Sequence, residues 1–134
     1  MSRMLFVNLP VESLKRSVDF YSQLGFEFNP QFTSEDSTCM ILSETKFVML
    51  LEEPRFSEFV DKPIANTRLE VGALLSMNMD SADEVKAFCK KAFELGAREY
   101  QPSRDLGFMY SQGFEDLDGH ILEAFWMDPA AIEG

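Results

Sequence analysis

The chain has one histidine and two cysteines among its 134 residues. A metal site built on several histidines is therefore excluded. Cys39 and Cys89 lie too far apart for a CxxC pair, and two thiols make no disulfide framework, so a reduced, cytoplasmic protein is expected. Positive charge is scarce as well. Twelve Lys and Arg stand against 23 Asp and Glu, giving a net charge of −11 and a pI near 4.4. Such a field repels phosphate backbones and anionic lipid surfaces, so neither nucleic acid nor a membrane is an expected partner. It serves solubility, or else an acidic cleft for a cationic ligand. No apolar run approaches the roughly 20 residues that span a bilayer. The apolar run in "MSRMLFVNLP" is too short for a signal peptide.

What the chain does have is core material. Hydrophobic residues make up 46% and aromatics 13%, unlike a disordered segment and enough for one domain or two small halves. In "SLKRSVDFYSQLGF", Leu14, Val18, Tyr21 and Leu24 recur at helical spacing, with Ser13 as N-cap and Gly25 as the left-handed residue that ends the helix. "SADEVKAFCKKAFELGA" repeats the pattern. Val85, Phe88, Cys89 and Ala92 form the stripe, Ser81 and Glu84 have capping-box spacing, and Gly96 ends the helix. Cys89 falls on the apolar stripe and reads as core.

Each helix follows a strand-like run, "MLFVNLP" or "VGALLSMNMD", and each precedes three more. These are "FEFNPQF", "STCMILSE" and "KFVMLLEE" in the first half, and "AREYQ", "GFMYSQGFEDL" and "GHILEAFW" in the second. Turn residues separate them, among them Ser43-Glu44-Thr45 and Asp118-Gly119. The fold class is therefore α+β, a βαβββ module repeated with a period of about 70 residues. Module one spans residues 3–53, a linker spans 54–68 and module two spans 69–128, within one domain of 1–134. The two mixed sheets are expected to form a shared concave cup.

The stretches "VNLPVESLKRSVDFYSQLGFEF" and "FEDLDGHILEAFW", set in paired βαβββ modules, resemble the vicinal oxygen chelate superfamily. That group includes glyoxalase I, extradiol dioxygenases, and fosfomycin and bleomycin resistance proteins. The resemblance implies a fold more firmly than a chemistry, because one scaffold hosts many reactions. In metal-using members four His or Glu side chains converge from the first and last strands of each module. Carried onto this sequence, those positions are Phe6, Met49, Leu74 and Glu123. Phe6 and Leu74 each lie seven residues before a cap serine, Ser13 or Ser81. Only Glu123 could ligate a hard or borderline metal, and a thioether is a soft donor, so no metal site and no cofactor is expected. A divalent metal is the alternative. His120 lies three residues from Glu123, and strand alternation sends the two to opposite faces. It is expected near the turn, partly exposed, beside a carboxylate.

The same alternation defines the cup: Phe6, Asn8, Met49, Leu51, Leu74, Ser76, Asn78 and Phe125 around Glu123, with Tyr110 at the rim. A loop carrying Arg104 and Asp105 could close over the mouth. Leu5, Val7, Leu9, Val48, Leu50, Ala73, Leu75, Met77, Leu122 and Trp126 should pack beneath the helices. An apolar cup with a few polar points is the usual make-up of a small-molecule pocket, and equally of two sheets closed on each other. A carboxylate there is a candidate acid or base if desolvation raises its pKa, or a hydrogen-bonded relic of an ancestral site if a donor such as Asn8 or Ser76 meets it. Three functional readings follow. The first is metal-free binding of a small hydrophobic or cationic molecule, for which bleomycin-resistance-like proteins are the precedent. The second is a lyase, isomerase or dioxygenase relative that uses Glu123 as acid/base or metal ligand. The third is a dimeric structural or interaction protein; family members are often dimers, so a homodimer is expected.

Overall fold

The computed structural model describes residues 3–133. The chain divides into two compact units, one ending at Ala65 and the other beginning at Asn66. Each unit is a mixed, open sheet with a helix packed on it.

In the first unit, strand β1 (Leu5–Val11) is followed by helix α1 (Leu14–Gln23), then β2 (Glu27–Phe28), β3 (Ser37–Ile41) and β4 (Lys46–Glu52). The strand order is β1-β4-β3-β2, with β1 parallel to β4 and the other pairs antiparallel. First and last strands thus lie side by side, with α1, β2 and β3 between them in the chain. Ser13 Oγ accepts from the Arg16 N–H at 3.2 Å, and Gly25 takes φ +103 just beyond the helix. Glu52, the last residue of β4, accepts from the Leu14 N–H at 2.9 Å, a second anchor for the helix start. The buried stripe of α1 is Leu14, Ser17, Phe20 and Tyr21. It is rotated from the expected one, because Phe20 lies beneath the helix while Val18 and Leu24 are half-buried.

The second unit repeats the plan with β5 (Leu74–Asn78), helix α3 (Ala82–Glu94), β6 (Arg98–Glu99), β8 (Met109–Glu115) and β9 (Ile121–Met127). Its order is β5-β9-β8-β6, with β5 parallel to β9. An additional short strand, β7 (Arg104–Asp105), pairs with β8, so Arg104 and Asp105 belong to the sheet rather than to a loop. Val85, Cys89 and Ala92 of α3 are fully buried, as their helical spacing predicts. Ser81 Oγ accepts from the Glu84 N–H at 3.0 Å, while Glu84 reaches back to the Asp80 N–H at 3.1 Å, one residue earlier than a capping box. A terminal helix α4 (Pro129–Glu133) follows.

The expected linker is partly structured. It holds most of helix α2 (Glu53–Phe56), which packs on β1 and β4, and a 3-10 turn over Ser57–Phe59. Its last residues are fastened to the second unit. Thr67 Oγ1 donates to the Asp118 carbonyl at 2.6 Å, and Arg68 Nη2 to the Leu117 carbonyl at 3.1 Å.

Candidate functional site

The β8–β9 turn fixes the second sheet. The Asp116 N–H donates to the His120 carbonyl at 2.8 Å, and the Gly119 N–H to the Asp116 carbonyl at 3.1 Å. Asp116 Oδ1 accepts from the N–H groups of Asp118 and His120, both at 2.9 Å. Asp116, Asp118 and His120 are all buried. His120 is therefore not the partly exposed residue expected. It closes the hairpin from within, with its own backbone N–H on a carboxylate.

That turn sets the register Glu115↔Ile121, Gly113↔Glu123, Ser111↔Phe125 and Tyr110↔Trp126. Paired residues share a face, so Glu123, Gly113, Phe125 and Ser111 lie on the side of the sheet away from α3. On the other edge of β9, β5 adds Leu74 beside Ile121, Ser76 beside Glu123 and Asn78 beside Phe125. Leu74, Ser76 and Asn78 are exposed, Glu123 and Phe125 are half-buried, and Ile121 and Ser111 are buried. Ser76 Oγ donates to Glu123 Oε1 at 2.8 Å, the one hydrogen bond of that carboxylate among the described residues.

Tyr110 is not part of this surface. It is paired with Trp126, packs against Val85 and Ala124, and carries the Lys86 ammonium 5.0 Å from its ring centroid. Tyr110 and Phe114 alternate on the helix side, where Phe114 meets Phe88 at a centroid distance of 5.7 Å.

In the first unit the corresponding face carries Phe6, Asn8 and Met49. Phe6 stacks on Phe47 at 4.8 Å and 16°, and Asn8 is the register partner of Met49. Leu51 was expected to line the same surface but is core, only 3% exposed. Leu50 beside it is also buried, so both faces of β4 are covered at the point where the chain enters α2.

The donor set does not suit a metal. Glu123 stands in register with Ser76 and Gly113, and among the described residues no group of three or more His, Cys, Asp or Glu side chains could hold an ion. What the second face offers is one carboxylate, a hydroxyl already donating to it, an amide at Asn78 and apolar walls at Leu74, Ile121 and Phe125. Such a surface can receive an N–H donor or cation beside a flat apolar group. Gly113 and Ser111 escaped the sequence reading. A glycine inside a strand signals a close approach or a vacancy, and that signal was present in "SQGFE".

The family described as bleomycin resistance protein-like N-terminal matches residues 3–43. The hypothetical protein SA1046 of S. aureus is 24% identical over 94% of both chains, with a TM-score of 0.79. A glyoxalase/bleomycin resistance protein/dioxygenase family enzyme of Burkholderia phytofirmans PsJN is 14% identical, over 94% of this chain and 99% of that one, with a TM-score of 0.77. A fosfomycin resistance protein, FosX, of Listeria monocytogenes is 17% identical over 97% of both chains, with a TM-score of 0.69. Among curated proteins none matches the sequence. With its two βαβββ units and these likenesses, the chain has the vicinal oxygen chelate fold, that of the glyoxalase/bleomycin resistance/dioxygenase family.

Proposed function

We propose that this protein binds a small organic molecule on the helix-free face of its second sheet, without a metal. The observation that carries this reading is Glu123, a half-buried carboxylate whose one hydrogen-bond partner among the described residues is Ser76, set between the apolar side chains of Ile121 and Phe125. The ligand class is an apolar molecule bearing an ammonium, amidinium or other N–H donor. Its donor pairs with the carboxylate while its hydrocarbon part covers the apolar walls. The net charge of −11 draws cations toward the protein and does not draw anions. The metal-dependent alternative lacks donors, because Phe6, Met49 and Leu74 stand where the family's ligands would be.

A thermal-shift screen of amines, amidines and neutral isosteres tests this reading. Cations should raise the melting temperature of the protein and not that of Glu123→Gln. A shift of equal size in both, or none, rejects it. Metal analysis of the purified protein is the second arm, and stoichiometric zinc, nickel, manganese or iron would overturn the metal-free part. We further propose a reduced, cytoplasmic homodimer, supported by two buried free thiols and by family habit. Sedimentation measures its stoichiometry. Among the described residues no helix is long and apolar enough to cross a membrane.

A further inference from the structure

We infer that Gly113 sets the size of the group admitted beside Glu123, an inference that rests on the binding reading above. Across the row Ser76–Glu123–Gly113, the strand on one side of the carboxylate supplies a hydroxyl and the strand on the other supplies no side chain. A Cβ at position 113 would lie 3.9 Å from both Cα and Cβ of Glu123 and 3.3 Å from the Leu122 carbonyl oxygen. The vacant position therefore points to the same face as the glutamate and abuts its side chain. The rows to either side are filled, by Phe125 with Ser111 and by Ile121 with Glu115. The result is a notch one side chain wide, floored by backbone, with the carboxylate as one wall and Phe125 at its end.

Ser76 meets Glu123 from the β5 side and through Oε1. The approach from the β8 side is the one the glycine leaves open. A primary ammonium or a planar amidinium fits a gap of about one side chain, and a bulkier substituted nitrogen does not. Gly113 has no positive φ, so the backbone does not require glycine there. The absence of a side chain is then a property of the surface, not of the turn geometry.

The test is an amide-resolved NMR titration with benzylammonium, its neutral isostere benzyl alcohol and the N,N-dimethyl form. The proteins are wild type, Glu123→Gln, Gly113→Ala and Gly113→Val. For the wild type, benzylammonium should shift the amides of Ser76, Gly113, Glu123 and Phe125 and bind more tightly than the other two probes. Gly113→Ala should weaken benzylammonium measurably, and Gly113→Val by about tenfold or more. If Glu123→Gln weakens binding but both Gly113 variants leave it unchanged, the notch is refuted and the binding site stands. If the wild type does not bind benzylammonium at these residues, both fall. Should the valine variant fail to give a dispersed folded spectrum, the alanine variant decides alone. A Cβ at 3.3 Å from one carbonyl oxygen asks for a shift of only a few tenths of an ångström.

Discussion

Ser76 and Glu123 are direct register partners on parallel strands, joined by a hydrogen bond of 2.8 Å from hydroxyl to carboxylate. Ser76 is exposed, and one hydrogen bond near water contributes about 1 kcal/mol or less. Ser76→Ala should therefore leave the urea midpoint nearly unchanged. The double variant Ser76→Ala, Glu123→Leu should be as stable as wild type or more so, because an apolar pair leaves no partner unsatisfied. The double variant should lose the thermal shift given by cationic ligands, whereas Ser76→Ala keeps the carboxylate and should retain it. A large stability loss with binding retained would make the pair structural.

Gly119 has φ +89, and a Cβ there would overlap the Thr67 carbonyl oxygen and lie 2.7 Å from its carbon and 2.9 Å from Arg68 Cα. Backbone strain alone costs about 1–3 kcal/mol, and the overlap with backbone adds to it. Gly119→Ala should lower the melting temperature strongly or prevent folding. By contrast, nothing lies within 4 Å of a Cβ at Gly25, so Gly25→Ala bears the φ strain alone and should be the milder of the two.

Asp116 accepts two backbone N–H groups with one carboxylate oxygen inside the turn. Asp116→Ala strands both donors away from water and should cost about 2–4 kcal/mol. Asp116→Asn keeps an acceptor and should cost less than half as much. Equilibrium denaturation of the two variants gives the comparison directly.

Burial pushes the Cys89 thiol up to about 11, and Cys39 is shifted upward for the same reason. Two consequences can be measured. A thiol reagent at neutral pH should modify neither cysteine until the protein is denatured. The linkage has a definite sign: the unfolded thiol ionises near its ordinary value of 9.0 while the folded one keeps its proton. This contribution to stability is present below pH 9 and is lost as the pH rises toward 11. Cys89→Ala should flatten that decline.

Much of this fold is readable from local signals. Cap serines, C-terminal glycines and 3.6-residue stripes give both long helices, and period-2 alternation gives the faces of β5 and β9 and of β1 from Val7 onward. Leu5 and Ala73, expected beneath the helices, are exposed because one opens the edge strand β1 and the other precedes β5. What was missed depends on registration between strands. Tyr110 looks like a rim residue while β8 is considered alone. The hairpin turn at Asp116–Gly119 pairs it with Trp126 and turns it under α3. Arg104 and Asp105 carry too short a pattern to announce a strand and gain one only by pairing with β8. Leu51 alternates onto the outer face yet is buried, next to where β4 runs into helix α2, an element inside what composition marked as linker. The Ser76–Glu123 contact was foreseen as one option for the carboxylate, whereas the space at Gly113 is visible only once the register is known.

The parallel pairing of β5 with β9 bears on how the chain is made. In the first unit the edge strand β1 finds its partner β4 by residue 52, so that half is complete while later residues are still being synthesised. In the second, β5 has no neighbour until residues 121–127 emerge, and Thr67 and Arg68 wait for carbonyls at 117 and 118. Through most of that interval an apolar strand led by Leu74 and Leu75 has an unpaired edge. Residues 121–127 thus decide whether this half becomes a sheet or a sticky strand. Deleting residues 121–127 should prove far more harmful to recovery from cells than cutting the chain within residues 57–65.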